Sequence, residues 1–264
     1  MRSRYWIDYP ATALEIDPAR TVAVLPTAAI EQHGPHLPVG VDTMINQGLC
    51  DLLAQSCPEA LDIRLLPVQC VGKSNEHLWA AGTITLSAET AMKAWTEIGL
   101  SLARAGVKKA LILNSHGGNA DLISIVAREL RVRAGMYCVR MGWGAGGSPE
   151  GLYGPQEAAQ GIHGGDNETS LMLHFRPETV DMSKAQDFRW AHNQGDIAPV
   201  GGIAHGWIAS DVNAAGVAGE AHLASAEKGR VTAEHYVRNT IEVIERMVAF
   251  DASGYAPVND PYPA

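Results

Sequence analysis

Short apolar runs alternate with longer amphipathic ones through the first half of the chain. Residues 21–26 (TVAVLP) form a continuous apolar run of the kind buried on both faces of a sheet. Residues 42–57 place Ile45, Leu49, Leu52 and Leu53 on one helical face, and Pro58 stops the pattern. A second strand is predicted over 62–71, then a long helix over 87–104 opened by Ser87 with Glu89 in its first turn. Gly106 closes that helix ahead of the apolar run 109–114 (KALILN), and a helix over 119–134 leads to a strand over 136–141. This alternation predicts a layered α/β fold with a largely parallel sheet.

The second half reads differently. Residues 144–165 are rich in glycine, with Pro149 and Pro155, which predicts a functional loop such as a lid or pocket wall. Trp143, Leu152, Tyr153 and Ile162 supply anchors that a disordered linker would lack. A helix over 167–175 ends at Pro177, residues 181–215 are irregular, and a closing helix over 232–250 carries Val237, Ile241, Ile244 and Val248 on one face. No internal repeat is visible, so the reading is one domain over 1–264.

Composition narrows the function classes. With 264 residues and 46% hydrophobic content, the chain can build a core without disulfide or metal staples. Twenty basic against 29 acidic residues give a formal charge of −9, which argues against binding nucleic acid through phosphate contacts. Cys50, Cys57, Cys70 and Cys138 form no CxxC pair and read as free thiols, matching a reducing cytoplasm. No run approaches the ~18 apolar residues of a membrane span, so no membrane partner is expected.

In parallel sheets, ligands gather beyond the C-terminal strand ends, and the polar clusters of this chain stand there. Glu31 and His33 follow the first strand, two residues apart and so on one side of an extended segment. Asp42, at the start of the next helix, reads either as an N-cap or as a metal ligand shared with them. His116 follows the third strand, where Gly117 and Gly118 let backbone approach a ligand. His163, Asp166 and Glu168 form the next cluster, as ligands, a proton carrier or first-turn carboxylates favoured by a helix dipole. His77, Trp79 and Trp143 are further pocket candidates. No GxxxxGK[ST] loop suggests a nucleotide, and Ser115 lacks the GxSxG elbow of a serine hydrolase.

The segments TAAIEQHGPHLPVGVD (27–42), AAGTITLS (80–87), ILNSHGGN (112–119) and HGGDNETS (163–170) together resemble the creatininase (creatinine amidohydrolase) family. The resemblance implies a three-layer α/β/α fold with a mostly parallel central sheet, a binuclear metal centre and a closed homo-oligomer, such as a hexamer. It implies two divalent ions, zinc first and manganese or iron as alternatives. Glu31, Asp42 and His116 match the residues holding the first metal, and His33 and Asp42 those holding the second, with Asp42 bridging. Creatininase completes the second site with a carboxylate two places after the strand-end histidine, where this chain has Gly118. Glu168, or else Asp166, is the available replacement, and Glu168 would otherwise serve as a base. His163 matches the family's proton-transfer histidine.

Gly117 and Ile162 replace pocket groups expected to touch creatinine, which makes creatinine itself a poor expected substrate. The expected function is therefore a metal-dependent, non-peptide amidohydrolase acting on a small-molecule substrate: a cyclic amide, formamide or related carbonyl compound. The alternatives are a hydrolase opening a cyclic ketone or processing a peptide on the same scaffold, or a non-catalytic metal- or ligand-binding protein.

Overall fold

The computed structural model describes residues 3–191 and 197–255. Four strands form a parallel sheet: β1 (Val22–Thr27), β2 (Ile63–Leu65), β3 (Lys109–Asn114) and β4 (Tyr137–Gly142), in the order β2-β1-β3-β4. Successive residues of the central strands feed opposite cores, as the two-residue strand period requires. Val22, Val24, Leu111 and Leu113 pack under α1 (Val41–Ser56), together with Leu53, Val237 and Ile244. Ala23, Leu25, Ala110 and Ile112 pack under α2 (Ala88–Arg104) and α3 (Ala120–Ala134), against Trp95 and Leu130. The result is the three-layer architecture. The strand order reverses between β1 and β3, so the segments leaving their C-terminal ends diverge and open a crevice there.

Two boundaries differ from the sequence pattern for identifiable reasons. The second strand ends at Leu65 because Pro67 offers no N–H, although Gln69 N–H still reaches the Pro26 carbonyl at 2.9 Å. Beyond β4, the glycine-rich loop contains α4 (Pro155–Gln160) and leads into α5 (Asp166–Phe175). A short α6 (Ala209–Val212) and the antiparallel pair β5 (Asp187–Phe188) and β6 (Gly219–Glu220) order part of the second irregular region. Residues 192–196 of that region lie outside the described residues. The closing helix α7 (Ala226–Ala249) starts earlier than its apolar pattern suggested, because Ser225 caps it by accepting from Lys228 N–H. Its first turns pack on α5 so closely that a Cβ at Gly229 would lie 1.9 Å from the Ser170 carbonyl oxygen. The sequence showed no hydrophobic signal there because the contact is backbone against backbone.

All four cysteines are free: Cys50 and Cys57 are buried, Cys138 is half-buried and Cys70 is exposed. Among the described residues, no helix is long and apolar enough to cross a membrane.

Candidate metal centre

Beyond β1 the chain turns Glu31 and His33 into the crevice. Beyond β3 it delivers His116, and the first turn of α1 delivers Asp42. The N-cap of α1 is Gly40, with no side-chain cap bond, so Asp42 is not spent on capping. All four side chains are buried. His116 Nδ1 lies 3.2 Å from Glu31 Oε1 and 3.4 Å from Asp42 Oδ2, and His33 Nε2 lies 3.7 Å from Asp42 Oδ1.

The second nitrogen of each imidazole fixes what the first can do. His33 Nδ1–H donates to the Glu31 carbonyl at 3.1 Å, and His116 Nε2–H donates to the Lys73 carbonyl at 2.9 Å. Both rings thereby turn a lone pair toward the carboxylates, the arrangement that metal-binding histidines adopt. Glu31 Oε1, His33 Nε2 and Asp42 Oδ2 are buried without a hydrogen-bond partner in the protein. Buried polar atoms left this way are costly, and their convergence on one region fits a bound cation.

Charge supports that fit. Burial alone would raise the Glu31 carboxyl, but the imidazoles of His116, His163 and His33 hold it well below its usual range. Burial and the neighbouring Glu31 push Asp42 well above its own. Burial opposes a proton on His116, yet Glu31, Asp42 and Glu76 outweigh it and push the imidazole up to about 10. A proton held this firmly among carboxylates occupies the place a divalent ion would take.

Two ligand groups share Asp42: Glu31, Asp42 and His116, and His33, Asp42 and Glu168, each with its donor atoms within 4.8 Å of one another. Glu168 reaches the cluster from α5, its Oε2 standing 3.7 Å from His33 Nε2 and accepting from Gly164 N–H at 2.6 Å. Asp166 turns away. It is fully buried, pairs with Lys228 of α7 and accepts from Ser170 Oγ at 3.0 Å. Asp166→Ala is accordingly expected to cost stability, about 2–3 kcal/mol, because it strands a largely buried ammonium. Thermal denaturation should show the loss, while titration should show zinc stoichiometry unchanged.

His163 stands over the same carboxylate, with Nδ1 at 3.5 Å from Glu31 Oε1, while its Nε2–H donates to the Gln32 carbonyl at 2.7 Å. His77 brings Nε2 to 3.5 Å from Glu31 Oε1. Trp143 is buried and donates from its indole to Asn46 Oδ1 at 3.2 Å, whereas Trp79 is 46% exposed.

Gly118 has a role the sequence did not reveal. A Cβ there would lie 2.3 Å from Glu76 Oε1, 2.4 Å from His116 Nε2 and 2.6 Å from the Lys73 carbonyl oxygen. The missing side chain leaves room for the 73–76 loop, whose carbonyl orients His116 and whose Glu76 carboxylate sits 3.6 Å from His116 Nε2. In the sequence Glu76 stands among the weaker pocket candidates of residues 72–83, beside Lys73, Ser74 and His77, with nothing to show its contact with His116. His36 was also missed: its buried Nε2 ties the loop after β1 to Thr169 Oγ1 of α5 at 2.9 Å.

Two cavities flank Glu168. One, of about 380 Å³, is lined by His116, Gly117, Trp143 and Arg140; the other, of about 540 Å³, by His163, Tyr153 and Glu157. They share Gly144, Asn167, Glu168 and Tyr236. No atom lies within 4 Å of where a Gly117 Cβ would be. A further cavity, about 1000 Å³, lies apart between Tyr5, Met44 and Phe175 and contains none of the cluster.

A model of the creatininase family, described as creatinine amidohydrolase, matches residues 10–244. The chain is 31% identical to the mycofactocin precursor peptide peptidase of Mycobacterium ulcerans (strain Agy99), over 84% of each chain. It is 28% identical to the creatinine amidohydrolase of Pseudomonas putida, over 90% of this chain and 93% of that one. A mutant creatininase of Zn-Zn type superposes with a TM-score of 0.75 at 25% identity, over 94% of this chain and 99% of that one. The peptidase name, carried by the relatives at 30–31% identity, overturns the small-molecule substrate expected from the sequence. The matched fold and the buried ligand cluster are those of a metal-dependent hydrolytic enzyme. On the match over residues 10–244, the chain belongs to the creatininase family.

Proposed function

We propose that this chain is a metal-dependent peptidase, cleaving an amide bond within a peptide rather than in a small cyclic amide. The observation that carries the reading is its 31% identity, over 84% of each chain, to a precursor-peptide peptidase. The site supports it. Two cavities meeting at Glu168 suit an extended chain passing the cluster, and the open space at Gly117 adds width where a side chain would close it.

Glu31, Asp42 and His116 would hold one divalent ion, and His33, Asp42 and Glu168 the second. When bound, such a pair lowers the pKa of water and polarises a scissile carbonyl; zinc suits the mixed imidazole and carboxylate donors, with manganese and iron as alternatives. His163 then handles the proton. Its Nε2–H is committed to the Gln32 carbonyl, so only Nδ1 can exchange with reactants. Burial and the adjacent His33 lower its pKa, which keeps Nδ1 free to accept a proton and deliver it to the departing amine. Leu171, Ile123 and Trp143 line the cavity wall and exclude water from one side.

The test is mass spectrometry of a library of linear peptides incubated with the zinc- or manganese-loaded enzyme, with creatinine in parallel. Peptide cleavage abolished by chelation is expected. Intact peptides alongside creatinine ring opening would overturn the proposal. Gly117→Trp should lower peptide kcat/KM at least tenfold by filling the open space, with zinc stoichiometry and melting temperature unchanged.

A further inference from the structure

Distance alone puts His77 in a ligand group with Glu31 and Glu76. Its hydrogen bonding says otherwise. Gln32, between Glu31 and His33, is buried, and its carboxamide is saturated. Oε1 accepts from Gly34 N–H at 2.9 Å, while Nε2 donates to the Gly216 carbonyl at 2.7 Å and to His77 Nδ1 at 2.8 Å. Turning the amide over would set oxygen against the Gly216 carbonyl and N–H against the Gly34 N–H, so its orientation is fixed by its backbone partners. Gly216 is shaped for this contact: its φ is +70°, and a Cβ there would lie 2.5 Å from Gln32 Nε2.

A His77 Nδ1 that accepts must carry its proton on Nε2, and Nε2 faces Glu31 Oε1 at 3.5 Å. The other oxygen, Glu31 Oε2, receives Ser74 Oγ–H. We infer that His77 is a positioning residue and not a metal ligand: Gln32 fixes its tautomer, Ser74 binds Glu31 Oε2, and the His77 Nε2–H dipole faces Oε1 across 3.5 Å, too far to close a hydrogen bond, so the carboxylate is oriented while Oε1 stays open to an ion. The Glu31, Glu76 and His77 group is then not an ion site. The inference rests on the proposed reading only in taking Glu31 as a ligand.

The test uses the full chain labelled with ¹⁵N-histidine, metal-free and zinc-loaded. Long-range ¹H–¹⁵N spectra, with His77 assigned by contacts to Gln32, should show the Nε2–H tautomer in both states. A proton on Nδ1, or a metal-bound shift at Nε2 on zinc loading, would overturn the inference. In competition titrations, His77→Leu should weaken zinc at the Glu31–Asp42–His116 site 10–100-fold, the range for loss of an outer partner of a ligand. His77→Gln, which keeps an N–H donor, should restore most of that affinity. Equal loss in both variants, or no loss in His77→Leu, would contradict the role. Neither readout uses peptide turnover, so failure of the peptidase reading and failure of this one are separable.

Discussion

Asp42→Ala is expected to abolish binding of both ions together, where any other single ligand change leaves one bound. Asp42 belongs to both ligand groups, with Oδ2 at 3.4 Å from His116 Nδ1 and Oδ1 at 3.7 Å from His33 Nε2. Losing several kcal/mol of metal assistance corresponds to a fall in kcat on the order of 10³ or more at 1.36 kcal/mol per decade. Stability should move the other way in the metal-free protein. Burial and Glu31 raise the Asp42 carboxyl well above its ordinary value. An acid raised by the fold costs stability at every pH above its unfolded pKa. Metal-free Asp42→Ala should therefore melt at or above metal-free wild type near neutral pH. Elemental analysis and calorimetry check the two halves, and stoichiometric metal in the variant would remove Asp42 from the bridging position.

Gly118→Glu is expected to weaken the centre, although it restores the carboxylate that creatininase carries at this place. Even a Cβ would press on Glu76 Oε1, His116 Nε2 and the Lys73 carbonyl, all within 2.6 Å. Backbone cannot yield as a flexible side chain can, so the 73–76 loop must move and release its acceptor for His116 Nε2–H. Zinc at the Glu31–Asp42–His116 site should bind 10–100-fold more weakly, and overpacking should cost about 1–3 kcal/mol. Gly118→Ala should show most of both effects, which separates the steric cause from the added charge. Tighter zinc binding in Gly118→Glu would mean the position is a lost ligand and not a cleared space.

The parts of this protein that depend on local pattern were legible in its sequence. The runs 21–26 and 109–114 are apolar at every central position because their strands are buried on both faces, and the observed strands match them within a residue or two. Glu31, His33, Asp42 and His116 stood out because each follows or opens an element at the same sheet edge. Legibility stopped where a distant segment decides. Asp166 and Glu168 share the first turn of one helix, and Lys228, from another helix, claims Asp166 and leaves Glu168 to face His33. Gly118 could be read only as a missing side chain until Glu76 was seen beside it. The substrate class was misjudged because the motifs report the metal ligands, whereas the two cavities beside them are lined by the loop after β4 and by Tyr236 of α7.

Anomalous diffraction at the zinc edge from zinc-loaded crystals tests the shared-ligand centre most directly. Two peaks are expected, one bonded to Glu31, Asp42 and His116 and one to His33, Asp42 and Glu168, with Asp42 touching both. A single peak, or a second peak bonded to His77 or Asp166 and not to Glu168, would contradict it.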